Sequence, residues 1–333
     1  MYEFKEFEFL WHEKLADGLY RVVEDWGGPQ KICMYVVIGE DKVAVVDTGC
    51  GATQELRKYI ETYITGKKPM IALMTHSHPD HIGGCTLFDE QYIHPVELPQ
   101  LAWNLNNKRR VHDAAAFAFT GMPGSDARAD LDRAMAVWKY CEGTYIPVDY
   151  KSIDWKLLED GDKVDLGGTV LECVFMNAHG SLVFYNREKD YALCGDNVTY
   201  TLAYGNITED LIGRFEKFIA HFMDKTMFYS GHLFYEDMMT RPQEIDAGMI
   251  RELIEAMRTV VAGGDFEDAQ PVVHHVVEGA PTLAGHVPDE DDEEGWAAFR
   301  AGHPERKGEV PQPGKPFVHH IGPILFTYKK VVD

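Results

Sequence analysis

Thr75-His-Ser-His-Pro-Asp-His-Ile-Gly-Gly84 decides how this chain is read, because it places four metal-binding side chains within six residues. His76, His78, Asp80 and His81 offer three imidazoles and one carboxylate, a borderline donor set suited to Zn2+ and its neighbours. The preceding Met70-Ile-Ala-Leu-Met74 is wholly apolar, which predicts a short buried strand with the ligands at its C-terminal end. Gly83 and Gly84 predict a tight turn leading away from the metal. A lone histidine is ordinarily a surface or core residue, but a loop this dense in ligands has no ordinary structural use.

The segment resembles the His-x-His-x-Asp-His signature of the metallo-β-lactamase-fold hydrolases, a group that includes glyoxalase II-like and lactonase-like enzymes, and the match extends along most of the chain. Upstream, Lys42-Val-Ala-Val-Val-Asp-Thr-Gly49 is similar to the family strand that ends in Asp-Thr-Gly. By that resemblance Asp47 steadies the metal loop, since metal-binding imidazoles need an orienting partner. Read alone, an aspartate after a β-branched run is often only a turn residue. Between His112 and His221 the only histidine is His179, in Asn177-Ala-His-Gly-Ser181. Seventeen residues later Tyr191-Ala-Leu-Cys-Gly-Asp196 ends an apolar run in Gly-Asp, and thirty-six beyond that Met227-Phe-Tyr-Ser-Gly-His232 ends one in Gly-His. The resemblance implies that His76, His78 and His179 hold one metal, that Asp80, His81 and His232 hold a second, and that Asp196 bridges them. One departure falls at His179, followed directly by Gly180-Ser181 where the family reads His-Thr-Pro-Gly-Ser. In related lactonases a tyrosine shortly after the bridging aspartate contacts the substrate carbonyl. Tyr200, four residues after Asp196, is the matching candidate at a different spacing.

The chain has 333 residues and a net charge of −22. That charge argues against electrostatic binding of DNA or RNA and otherwise reads as a solubility device. Six cysteines are scattered without a CxxC pair, which fits a reducing compartment better than a disulfide scaffold. The N-terminal Met1-Tyr-Glu-Phe-Lys-Glu-Phe-Glu-Phe-Leu10 lacks the basic start and apolar run of a signal peptide, and no stretch of ~18 apolar residues predicts a membrane span. The expectation is a cytoplasmic protein without nucleic-acid or membrane partners, and relatives of this family make a homodimer an analogy to test.

Apolar patterning predicts strands at 18–24, 31–39, 42–47, 163–165, 169–175, 181–186 and 191–195, with helices at 52–65, 208–222 and 242–262. Strands grouped at both ends with helices between them suggest packed sheets covered by helices. This agrees with the αββα four-layer sandwich of two mixed sheets that the resemblance implies, in a single domain spanning 1–333. Two regions exceed that plan. Residues 95–150 form a helical insertion that can cap the site, with Trp103, Phe117, Phe119 and Met122 as pocket wall, although the commoner expectation packs them in the insertion's own core. Residues 236–315 form a C-terminal extension whose Asp289-Glu-Asp-Asp-Glu-Glu294 run reads as a solvated loop. Phe317 to Tyr328 reads as a bent strand closing a sheet, and the adjacent pairs His274–His275 and His319–His320 point to opposite faces, a poor arrangement for chelation.

The expected activity is hydrolysis of a small-molecule ester, lactone or thioester by a dinuclear zinc centre, with manganese or iron as alternatives, through a metal-bridging hydroxide. The leaving group would collect near Asp80, and neither Ser77 nor Ser181 is needed as nucleophile. Two rivals use the same residues: a small-molecule phosphodiesterase, and a mononuclear iron oxygenase resembling persulfide dioxygenases, in which Asp80, His81 and His232 would stand idle.

Overall fold

Val43–Val46 and Met70–Leu73 are buried at every position, the pattern of parallel strands covered on both faces. In the computed structural model, which describes residues 4–119, 127–145, 147–199, 201–203, 207–234, 245–271, 293–294, 297, 317–321 and 324–328, these two strands lie side by side in the first sheet. Its path runs β1 (Leu10–Ala16), β2 (Leu19–Glu24), β3 (Gln30–Ile38), β4 (Val43–Val46), β5 (Met70–Leu73), β6 (Glu90–Ile93) and β7 (Lys156–Leu157). The first four strands pair antiparallel, and β4 to β7 pair parallel.

The chain then enters the second sheet through β8 (Lys163–Asp165), β9 (Val170–Phe175), β10 (Leu182–Asn186) and β11 (Tyr191–Gly195). It leaves for β12 (Thr201–Ala203), returns as β13 (Met227–Ser230), and crosses to the first sheet as β14 (His232–Phe234), antiparallel to β3. β15 (Ile245–Asp246) closes the edge of the second sheet, in which only β11 and β13 pair parallel. β16 (Gln270–Pro271), β17 (Phe317–Ile321) and β18 (Ile324–Tyr328) join β12 in a small four-stranded sheet.

Side-chain alternation along β3 sets the layers. Cys33, Tyr35 and Val37 share a core cluster with Cys173, Phe184 and Leu193 of the second sheet. Met34 and Val36 pack in the opposite direction with Leu56, Tyr59 and Ile60 of α1 (Leu56–Ile60). The strands β9 to β11 share their cluster with α6 and α7, defined below. Two mixed sheets lie face to face with helices outside, the expected sandwich.

Between the sheets in sequence come α2 (Pro79–Ile82), α3 (Leu101–Asn104), α4 (Asn107–Ala118) and α5 (Ala127–Thr144). Val111, Ala114 and Phe117 of α4 and Val137 and Cys141 of α5 share a third cluster with Phe9, Trp26 and Cys50, so the insertion is fused to the body. The outer helices of the second sheet are α6 (Glu209–Ile219) and α7 (Ala247–Val261), capped by Thr208 and Asp246 side chains that accept from the Leu211 and Met249 amides.

Three expectations change in detail. The helix foreseen over 52–65 begins only at Leu56 and ends in a wide π-type turn, Glu61–Thr65, because Cys50 just upstream is tied through its amide to the buried Glu24 carboxylate at 2.8 Å. The single strand foreseen before His232 is two, β13 and β14, in different sheets. Phe317 to Tyr328 is a pair of antiparallel strands rather than one bent strand. Met122, Tyr200, the His274–His275 pair and residues 289–292 lie outside the described residues.

Candidate metal centre

The ligand candidates gather where two pairs of parallel strands end. Asp47 and Thr75 follow β4 and β5 in the first sheet; Asp196 and His232 follow β11 and β13 in the second. Parallel strands release their chains from a common edge, which is where open α/β sheets collect functional loops. His179 comes from the turn between β9 and β10. Asp80 and His81 sit in α2, whose first residue is Pro79, a placement that suits a helix start.

Two groups form. His76, His78, His179 and Asp196 each present a ligand atom within 4.8 Å of the others, and so do Asp80, His81 and His232. Asp196 stands between them: its Oδ1 lies 3.3 Å from both His81 Nε2 and His232 Nε2, while its Oδ2 lies 3.4 Å from His179 Nε2 and 3.8 Å from His76 Nε2. Asp80 Oδ2 lies 3.4 Å from His81 Nε2 and 3.3 Å from His232 Nε2. The shorter loop after His179 still brings this side chain to 3.2 Å from His78 Nδ1.

These residues fit divalent cations. His76 Nε2, His81 Nε2 and Asp196 Oδ1 are buried without a hydrogen-bond partner, a costly arrangement for polar atoms unless a cation satisfies them. The opposite ring atoms are held from behind. Asp47 Oδ2 lies 2.8 Å from His81 Nδ1, and the same carboxylate accepts from the Thr75 amide at 2.9 Å and the Thr75 hydroxyl at 2.8 Å. Thr75 Oγ1 is 3.0 Å from His76 Nδ1, and His232 Nδ1 is 2.9 Å from the Lys31 carbonyl. Asp47 adopts φ 61°, an uncommon conformation for a non-glycine residue, and its carboxylate meets Thr75 and His81 at the two ends of the metal loop.

Electrostatics differ between the groups. Burial, and then the neighbouring His81 and His78, hold His76 well below its ordinary pKa; burial and His179 push His78 down to about 3. For His81 and His232, burial works against charge but is outweighed by Asp196 and Asp80, which raise His81 well above its ordinary value and His232 to about 10. The same ion pairs outweigh the burial of Asp80 and Asp196 and hold both carboxyls well below the usual range.

Gly83 and Gly84 lie in the turn expected of them, and what requires glycine there is space. Neither has a positive φ: Gly83 sits at −58° and Gly84 at −94°. A Cβ on Gly83 would lie 1.9 Å from the Cys50 carbonyl oxygen, so the pair is required by backbone contact. Gly231 likewise leaves room for the ligands, since its Cβ would stand 2.7 Å from the His81 ring and 2.9 Å from Asp196 Oδ1.

Several supporting residues carried no usable sequence signal. Glu97, buried in the insertion, accepts from the Ser77 amide at 3.1 Å and the Ser77 hydroxyl at 2.7 Å, and Asn104 Nδ2 donates to that hydroxyl at 3.1 Å. Asn197 Oδ1 accepts from the His179 and Gly180 amides at 3.3 and 3.1 Å; its position beside Asp196 was the one available hint. Arg110 Nη1 donates to the Gly51 and Gly83 carbonyls at 2.9 and 3.0 Å. Phe117 is part of the insertion's core and also stacks on the His232 ring, with centroids 5.7 Å apart and planes 24° apart. Trp103 is buried, and His319 lies elsewhere, bonded to Asp268 at 2.7 Å. Ser77 and Ser181 are fully buried, consistent with their exclusion as nucleophiles.

Fold and site define a metal-dependent hydrolase of the sandwich type, and the comparisons agree. The family model described as the metallo-beta-lactamase superfamily matches residues 27–204, more than half of the chain, and the chain belongs to this superfamily. His232 lies beyond the matched segment, so its place in the constellation rests on geometry. The chain is 28% identical over 233 residues to "Acyl-coenzyme A thioesterase MBLAC2" of Homo sapiens, covering 64% of this chain and 76% of that protein. It is 26% identical over 224 residues to "Probable metallo-hydrolase YqgX" of Bacillus subtilis (strain 168), covering 65% and 92%. Among solved structures, a beta-lactamase domain protein from Burkholderia ambifaria superposes with a TM-score of 0.50 at 14% identity over 75% of this chain and 76% of that one, a likeness of fold. No helix among the described residues is long and apolar enough to cross a membrane.

Proposed function

We propose that this hydrolase uses two divalent cations, with zinc suited to the donor set, and cleaves thioesters of small acyl groups. The observation that carries the reading is Asp196, whose two oxygens face the two histidine groups separately, each with an imidazole nitrogen within 3.4 Å. His76, His78 and His179 would hold one cation, Asp80, His81 and His232 the other, and Asp196 both. When bound, such a pair supplies a water activated near neutral pH and a Lewis acid for the carbonyl oxygen.

The protein's own residues do the rest by placement. Asp47 and the Lys31 carbonyl fix the tautomer and tilt of His81 and His232. Among the described residues, His78 and His179 are the less buried ligand candidates, so the acyl carbonyl enters from their side. Phe117, near the C-terminal end of α4, walls the His232 side, and we read the insertion as the cap of the site. The leaving sulfur departs beside Asp80. Thioester is preferred to simple ester or lactone because relatives from Homo sapiens and Bos taurus carry the thioesterase name. The tight gathering of Asp80, His81 and His232 favours two cations over the single iron of an oxygenase. Six buried free thiols support residence in a reducing compartment.

The test is metal analysis joined to thiol release. Purified protein should carry about two zinc ions per chain and release thiol from acyl-coenzyme A, losing activity on chelation and regaining it with zinc. One iron per chain with thiol-dependent oxygen uptake would replace this reading by the oxygenase.

A further inference from the structure

Helix α4 extends from the metal centre to a cation that the proposed reaction does not use. Arg109, Asp113 and Phe117 are spaced four residues apart and share one face of the helix. Phe117 is the end stacked on His232. Two turns back, roughly 12 Å along the axis, is Arg109. Its guanidinium lies 4.7 Å above the ring of buried Trp103, and its Nε is 3.7 Å from Asp113 Oδ2, beyond direct hydrogen-bond range. The side chain is only 13% exposed.

The neighbouring arginine is tied directly to backbone and side-chain oxygens. Arg110 donates to the Gly51 and Gly83 carbonyls and to Asn107 Oδ1, bolting α4 to the loops beside the ligands. Arg109 stands on that rigid support with the Asp113 carboxylate, 3.7 Å from its Nε, as a looser ion-pair partner. Burial pulls its pKa below the ordinary value despite Asp113 and Asp80, as burial also does for Arg110. The charge of Arg109 also reaches His78, on the less enclosed side of the centre. A partly desolvated guanidinium, stacked and fixed in place, is the geometry with which proteins take carboxylates and phosphates.

We propose that Arg109 is a specificity-determining residue that binds an oxyanion carried by the substrate several bonds from the scissile carbonyl. This deepens the thioesterase reading and rests on it. The oxyanion is either a carboxylate on the acyl group or a phosphate on the thiol portion, and in a chain of net charge −22 such a local cation makes an anionic substrate acceptable where the overall field opposes it.

Three substrates separate the sources: neutral S-butyryl-N-acetylcysteamine, S-succinyl-N-acetylcysteamine with a carboxylate on the acyl side, and butyryl-coenzyme A with phosphates on the thiol side. Each is compared in the full-length, metal-loaded wild type, Arg109→Lys and Arg109→Gln. In Arg109→Gln the ratio of kcat/KM for the recognised anionic substrate to that for the neutral one should fall roughly 30- to 100-fold, mostly through KM. Arg109→Lys should recover part of the ratio, and the anionic substrate whose ratio falls identifies the source. Calorimetry with coenzyme A and with succinate on the metal-free protein gives a second readout, expected to weaken in Arg109→Gln. Loss of kcat/KM by one common factor on all three substrates, with unchanged calorimetry, overturns the proposal. If the wild type cleaves none of the three yet binds one anion through Arg109, the thioesterase reading falls and the anion site stands.

Discussion

Asp80, His81 and His232 are all buried, whereas His78 is half-buried and His179 exposed, although both groups meet on Asp196. The enclosed group is held from behind by Asp47 and the Lys31 carbonyl and covered by Phe117. The open group hangs partly on a turn whose amides rest on Asn197. Their protonation differs too: His76 and His78 are held neutral, while His81 and His232 keep protons in the company of two carboxylates. On the proposed reading one half of the centre is a fixed anchor and the other a face for substrate, a division that a symmetric list of ligand candidates conceals.

The harshest way to break the comparison is to remove what the halves share. Asp196→Ala should lower kcat/KM by at least about a thousandfold and release one or both metals. If a folded Asp196→Ala protein kept both metals and wild-type turnover, the shared carboxylate would have no role.

Acid should separate the halves next. A histidine must lose its proton to bind metal, so an imidazole with a raised pKa, such as His232 at about 10, releases a proton on binding at neutral pH. The affinity of the enclosed half should therefore fall as pH falls, about tenfold per pH unit for each proton released, or roughly ten-thousandfold between pH 8 and 6 when both His81 and His232 release one. His76, held well below its ordinary value, and His78, near 3, should release no proton over that window. Competition with a chelator at the two pH values checks this, and equal pH dependence of both metals would remove the electrostatic distinction.

Asp47→Asn sharpens the comparison at smaller scale. The amide keeps the shape but withdraws the negative charge facing His81, so metal affinity of the enclosed half should drop about 10- to 100-fold. Metal titration should show this half weakened first. Loss of both metals together would mean that Asp47 acts through Thr75 and His76 as much as through His81.

What could be read in advance follows the range of the interactions. The ligands of the 76–81 loop are legible because the donors are neighbours in sequence, and Asp196 because an apolar strand ends at it. The change of sheet at Gly231 was not legible: Met227-Phe-Tyr-Ser is an ordinary apolar strand, and nothing local says that His232 will pair with Ile32. β1 was missed because Leu10–Ala16 is only half-buried and mixes charge with apolar residues, so its alternation is blurred. Glu97 was invisible for a third reason. In His94-Pro-Val-Glu-Leu-Pro99 it looks like a solvated loop residue, and its partner is twenty residues away.

Glu97 also offers the finest test of the open half. Its carboxylate accepts from both polar groups of Ser77, the residue between His76 and His78, and burial raises its pKa against those hydrogen bonds. One side chain from the insertion thus steadies the segment between His76 and His78. Glu97→Gln retains an acceptor oxygen and should cost only about threefold in kcat/KM, whereas Glu97→Ala leaves the buried Ser77 amide without its partner, a loss of about 1–3 kcal/mol, and should cost about tenfold or more. The metal lost first from Glu97→Ala should be the one in the half that Asp47→Asn spares. If both substitutions weakened the same half, support from the insertion and support from β4 would converge on one anchor, and the open face would owe its order to Asn197 alone.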